Sequence, residues 1–139
     1  AQCSALLPMM QFSAAPWRVL SEKNAKLCVQ AAALHDRFAP YILKVVRAAH
    51  ATGIPAVCPM AALFPEGGYE AIRNQFMIGR DMLVAPVTDK GRSALDVVLP
   101  EGQWRADDGA LYEGGRSVTI STPLERLPYF IREGAEVEA

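Results

Sequence analysis

Gln75-Phe76-Met77-Ile78-Gly79-Arg80-Asp81-Met82-Leu83-Val84-Ala85-Pro86-Val87 sets two apolar runs, Phe76 to Ile78 and Met82 to Val87, on either side of Gly79, Arg80 and Asp81. Runs this short, joined by a connection that contains glycine, read as the two strands of a tight antiparallel hairpin. The same grammar continues toward the C-terminus. Leu95, Val97 and Leu99 alternate with Ala94, Asp96 and Val98, and Val118 and Ile120 alternate with Ser117, Thr119 and Ser121. A period of two marks half-buried strands. Lys90-Gly91, Glu101-Gly102, Asp108-Gly109, Gly114-Gly115 and Glu133-Gly134 punctuate this stretch at intervals typical of a β-sandwich, and Leu127 to Arg132 reads as its last strand.

Upstream of the hairpin the pattern changes. Ser21 is a good N-cap before Glu22, and Leu27, Ala31, Leu34 and Phe38 recur at spacings that place them on one helix face, which is expected to be buried. Pro40 either opens a second helix at its first turn or kinks a continuous one, and Ile42, Val45, Val46 and Ala49 resume the stripe. Gly53 ends it, with Pro55 soon after. A boundary therefore falls between Gly53 and Cys58. The helical half could pack on the β half as one α+β unit or be the tail of a larger domain.

Composition narrows the function classes. A chain of 139 residues, 51% hydrophobic and 21% charged, can bury a core. Its 14 Lys and Arg against 15 Asp and Glu give a formal charge of -1, which gives nucleic acid or an anionic membrane no electrostatic hold. No segment approaches the roughly 18 apolar residues of a membrane span. A neutral substrate fits better than a polyanion. Ala1 to Pro16 has neither a basic start nor a sustained apolar run, so no signal peptide is read there.

Few residues suggest chemistry. Cys3, Cys28 and Cys58 are widely spaced, with no C-x-x-C pattern and no nearby His pair, so buried thiols and no metal site are expected. His35 and His50 lie in the helical half without a neighbouring Ser or Cys nucleophile motif. Asp107 and Asp108 precede a glycine, where Asp is favoured for its local hydrogen bonds. Glu66-Gly67-Gly68 lacks the G-x-x-x-x-G-K pattern of a phosphate loop, and no motif implies a cofactor. Pro16-Trp17-Arg18 is different. It lies in a connection before the Ser21 N-cap, where binding residues tend to be displayed. Trp17 can stack on a sugar face and Arg18 can donate to hydroxyls, or Trp17 can simply anchor the helix with Arg18 on the surface.

Several stretches follow one family's order. Leu7-Pro8-Met9-Met10-Gln11-Phe12-Ser13-Ala14-Ala15-Pro16-Trp17-Arg18-Val19-Leu20 resembles the segment after the acid/base region of family 31 glycoside hydrolases, in the version of the myogenesis-regulating branch. Phe38-Ala39-Pro40-Tyr41-Ile42, Gly53-Ile54-Pro55-Ala56-Val57, Gln75-Phe76-Met77-Ile78-Gly79, Leu83-Val84-Ala85-Pro86-Val87, Leu99-Pro100-Glu101-Gly102-Gln103-Trp104 and Leu127-Pro128-Tyr129-Phe130-Ile131-Arg132-Glu133-Gly134 follow collinearly. The resemblance spans essentially the whole chain.

It implies an α+β fragment. Residues 1–53 are expected to be the C-terminal end of a catalytic (β/α)₈ barrel, with Pro16 to Leu20 near its eighth strand, and residues 54–139 the proximal C-terminal antiparallel β-sandwich. Barrel enzymes carry their chemistry at the C-terminal ends of the strands, which would put Trp17 and Arg18 in the substrate-binding wall. The family's Asp nucleophile and Asp acid/base act by double displacement with retention, on carboxyls about 5 to 5.5 Å apart. Both lie upstream of the matching region, so no catalytic residue is assigned here and the chain alone is expected to be inactive. Its expected partners are a carbohydrate, an α-galactoside, α-glucoside or α-xyloside, and the upstream part of the barrel.

Three positions depart from the family pattern. The His that many members carry near the Arg matched by Arg18 is absent, which favours the branch associated with α-galactosides. Cys58 stands where Arg is usual and Arg80 where Asp is usual; if the two positions face each other, both members of an ion pair have changed. The reading from another class is a non-catalytic carbohydrate-binding or structural β-sandwich, for which Trp104, Tyr112 and Tyr129 would have to form an exposed stacking face.

Overall fold

A computed structural model describes residues 1–137, and the last two residues of the expected 54–139 unit lie outside the described part. The helical half holds α1 (Gln2–Ala5), α2 (Pro16–Val19), α3 (Glu22–Arg37) and α4 (Ala39–Thr52). The Ser21 hydroxyl accepts from the Asn24 N–H at 3.4 Å, capping α3 as its position predicts. Pro40 opens a second helix: α3 stops at Arg37, Phe38 forms the joint, and Pro40 sits in the first turn of α4, where its missing N–H costs nothing. Gly53 closes α4 with a left-handed backbone, its N–H donating to the Ala49 carbonyl at 2.9 Å.

The β half begins with β1 (Val57–Cys58), α5 (Met60–Leu63) and a 3₁₀ turn (Pro65–Gly67). β2 (Phe76–Ile78) and β3 (Met82–Val84) form the expected hairpin, with Ile78 opposite Met82. β4 (Ala94–Leu99), β5 (Gln103–Ala106), β6 (Leu111–Glu113), β7 (Arg116–Ser121) and β8 (Tyr129–Arg132) complete the chain. A six-stranded sheet runs β1-β2-β3-β8-β5-β6, all pairs antiparallel, and β4 pairs with β7 in a second sheet.

Alternation of side chains gives the large sheet two apolar faces. Ile78, Met82, Val84 and Tyr129 point to one, where Ala31, Phe38, Tyr41 and Ile42 of the helical half, with Ala5 and Leu6, cover them. Met77, Leu83, Trp104 and Phe130 point to the other, where Leu95, Val97 and Leu99 of β4 and Ile120 of β7 close a sandwich. The order of layers is thus helices, six strands, two strands. Every residue of β3 is buried, as its unbroken apolar run requires of a strand covered on both sides.

Two polar devices hold the layers. The Gln75 amide is buried and bonds both ways to Val98 of β4, donating to its carbonyl at 2.8 Å and accepting from its N–H at 2.7 Å, so one side chain bridges the two sheets. Arg126 donates to both Asp107 oxygens at 2.8 and 2.9 Å, to Asp108 at 2.9 Å and to the Ser121 carbonyl at 3.1 Å, clasping the end of β7 to the turn after β5. Both aspartates serve structure, and Asp108 also accepts from the Ala110 N–H at 3.0 Å in the turn its sequence suggested. At the β2–β3 turn Tyr41 donates to the Ile78 carbonyl at 2.8 Å. A Cβ on Gly79, whose φ is 57°, would lie 2.9 Å from Val45 and 3.0 Å from the Tyr41 hydroxyl, so glycine lets α4 sit directly on the hairpin.

Some expectations need correction. Ala31 and Phe38 are buried, but Leu27 and Leu34 are only half-buried, because they sit over an open cleft between α3 and the Arg126 loop. On α4 the sheet covers Tyr41 and Ile42, while Val46 is 37% and Leu43 48% exposed. Of the three cysteines only Cys58 is buried, and Cys3 is exposed.

Candidate functional site

The connection that carries Trp17 and Arg18 is a single helical turn. Ala15 is extended, Pro16 occupies the first helical position and is buried, and Leu20 is extended again before the Ser21 cap. The Arg18 N–H donates to the Ala15 carbonyl and the Leu20 N–H to the Pro16 carbonyl, both at 2.9 Å. Pro16 thus pins the turn, and the next two side chains project from it. Trp17 is 75% exposed and Arg18 is exposed. A Trp this open does not anchor a helix within this chain. Met9, Phe12, Val19 and Leu20, its neighbours along the chain, are exposed as well, which makes the stretch from Met9 to Leu20 unusually apolar for solvent. No strand lies among the described residues before Val57, so Pro16 to Leu20 follows no strand within this chain.

The remaining polar residues are largely tied into structure. His35 meets the Ala5 carbonyl through Nδ1 at 3.0 Å, joining α3 to α1. Glu133 receives Arg105 in two hydrogen bonds, at 2.8 and 3.2 Å. Asp96 accepts from Thr119 across the β4–β7 pair at 2.7 Å. Among the described residues no group of three or more His, Cys, Asp or Glu side chains could hold a metal ion, and no helix is long and apolar enough to cross a membrane.

Cys58 and Arg80 are neighbours. Cys58 pairs with Met77 in the sheet, and the Gly79 N–H reaches back to the Ala56 carbonyl at 3.0 Å, which brings the Arg80 turn beside β1. The Cys58 sulfur lies 3.0 Å from the Pro55 carbonyl, and burial pushes its thiol pKa upward against the opposing pull of the Arg80 charge. The aromatic residues that a stacking face would need are used for packing instead. Trp104 is fully buried, with its indole N–H on the Pro100 carbonyl at 2.8 Å; Tyr129 is 7% exposed against Phe38; Tyr112 meets Phe130 edge to face.

A two-sheet β domain fused to helices is the architecture of a glycoside hydrolase C-terminal domain when it is compared with known proteins. The profile of the Glycosyl hydrolase family 31 C-terminal domain matches residues 53–136. Myogenesis-regulating glycosidase from Mus musculus is 34% identical over 132 residues, covering 93% of this chain and 18% of that protein. Alpha-glucosidase 2 from Bacillus thermoamyloliquefaciens is 29% identical over 126 residues, 88% of this chain and 16% of the relative. Among solved structures, a GH31 alpha-xylosidase from a soil metagenome complexed with xylose superposes with a TM-score of 0.80 at 39% identity, over 84% of this chain and 18% of that one. The chain belongs to glycoside hydrolase family 31 and carries that family's C-terminal domain. It spans less than a fifth of the length of each of these three relatives.

Proposed function

We propose that this chain is the C-terminal portion of a retaining α-glycosidase, with residues 1–53 the last helices of the catalytic (β/α)₈ barrel and residues 54–139 the β-sandwich behind it. The observation that carries the reading is the match of 93% of the chain to a relative of which the matched stretch covers only 18%. The exposed apolar residues Met9, Phe12, Trp17, Val19 and Leu20 support it, because they lie in the helical half, where the rest of a barrel would pack. In the intact enzyme an Asp nucleophile and an Asp acid/base upstream of this region would cleave an α-galactoside, α-glucoside or α-xyloside by double displacement. Trp17 would offer an apolar wall to the sugar ring, and Arg18 donors to its hydroxyls. The chain supplies no member of the catalytic pair, so alone it would be inactive.

The test is to assay the purified chain and the protein extended upstream through the barrel on aryl α-galactoside, α-glucoside and α-xyloside. Turnover is expected only from the extended protein, with the anomeric configuration retained. Turnover by the chain itself that vanishes on mutating one of its own carboxylates would overturn the reading.

A further inference from the structure

The cleft between the α5 segment and the end of β8 has no role in the proposal above, and its chemistry is specific. Arg132 is part of its lining. The guanidinium carbon lies 4.8 Å from the centroid of Trp104 and 5.8 Å from that of Phe64, so ring faces fix its position. A Cβ on Gly102 would fall 3.2 Å from Nη1, and glycine leaves that space to the guanidinium. Arg126 and Arg105 spend their donors on carboxylates. Arg132 is less committed: among the described residues its side chain makes no hydrogen bond, and its ion pair with Asp81 is loose, at 3.8 Å from Nε. An arginine held through its faces keeps its in-plane N–H groups for something else.

The cleft has a volume of about 470 Å³ and is lined by Phe64, Glu66, Tyr69, Glu101 and Arg132. The Tyr69 ring stands edge to face against Phe64 at 6.2 Å and lies over Gly67, where any side chain would collide with it. Glu66 and Glu101 are exposed at the rim. Charge then selects the ligand. Glu66 and Glu101 outnumber the single guanidinium of the lining and disfavour phosphate, sulfonate or carboxylate, and among the described residues no group of three or more His, Cys, Asp or Glu side chains could hold a metal ion. A neutral molecule whose hydroxyls accept from Arg132, donate to the two glutamates and lay a C–H face on Tyr69 satisfies every group present.

We infer that this cleft binds a neutral polyhydroxylated ligand of the sugar class. The inference uses residues of the β half alone and does not depend on the barrel assignment.

The experiment is a titration of the ¹⁵N-labelled full chain with methyl α-glucoside and isomaltose into the millimolar range, followed by NMR, with sodium sulfate as the anionic control. Sugar is expected to move the Arg132 Nε–H resonance and the Gly67, Tyr69 and Gly102 amides, and sulfate is not. The double variant Glu66→Gln, Glu101→Gln keeps the cleft's shape and an acceptor oxygen at each position, so only the charge assistance of two exposed hydrogen bonds is lost, and sugar binding should weaken at least about fivefold. Arg132→Lys keeps the charge without the planar fork and should abolish the shifts; if that variant does not fold, the glutamate pair decides. Shifts confined to Trp17 and Arg18 would overturn this inference while leaving the proposed function standing. So would sulfate moving the Arg132 signal where sugar does not, or unchanged binding by the glutamate variant.

Discussion

Replacing Phe38 with alanine tests whether the helices and the strands form one cooperative structure. Phe38 is fully buried at the joint of α3 and α4, with its ring edge to face on Tyr129 at 5.2 Å and 78°. Removing the ring forfeits the transfer of a buried aromatic, roughly 1.5 to 3 kcal/mol, and the aromatic pair, about 0.5 to 1.5 kcal/mol. The cavity left between two rigid layers adds to this, so a loss of about 3 to 5 kcal/mol is expected, against a typical total of roughly 5 to 15 kcal/mol. Urea unfolding followed both by far-UV circular dichroism, which reports helix, and by tryptophan fluorescence would measure it. Both signals should move to lower urea together. A loss below about 1 kcal/mol, or helix melting ahead of an unmoved fluorescence transition, would refute the claim that one core joins the two halves.

Three further outcomes follow from the geometry. Asp107→Ala strips two of the hydrogen bonds of the Arg126 clasp and should cost about 2 kcal/mol, read as a lower urea midpoint with unchanged slope; an unaltered midpoint would mean the clasp is ornamental. Burial and then the charge of Asp81 push the Tyr41 phenol well above its ordinary value of 10.0, and burial raises Tyr129 as well. The folded protein thus holds protons that the unfolded chain releases above about pH 10, so this stabilisation is intact below that pH and lost as pH rises beyond it; Tyr41→Phe should flatten the alkaline decline in melting temperature. In the upstream-extended enzyme Arg18→Ala should lower kcat/KM by about 1.5 kcal/mol or more while leaving the melting temperature in place, and the reverse pattern would assign Arg18 to structure.

The β half was legible because its signals are local. Glycine in the three-residue connection Gly79-Arg80-Asp81 fixes a hairpin, and the alternation through Leu95, Val97 and Leu99 fixes which face of β4 is buried. The caps at Ser21 and Gly53 were equally plain. The burial of individual helix residues was not, because periodicity states which side of a helix is apolar and not how much of it a partner reaches. Leu27 and Val46 belong to apolar stripes yet face a cleft and solvent. Of the candidate site, Pro16-Trp17-Arg18 was marked by residue type and by its place before a cap. The Arg132 cleft was invisible, since Phe64, Glu66, Tyr69, Glu101 and Arg132 come together only through the return of β8 beside β5. Gln75 was missed for the same reason: its partner, Val98, lies 23 residues away.

The large sheet is a party wall. Both neighbours build against it, the helices through Ile78, Met82, Val84 and Tyr129 and the small sheet through Met77, Leu83 and Phe130. A segment cut at residue 54 and moved to another protein would therefore carry one finished face and one bare one, with Ile78, Met82 and Val84 turned toward water. A designer who wants to graft this β-sandwich must bring α3 and α4 or repaint the wall with polar side chains.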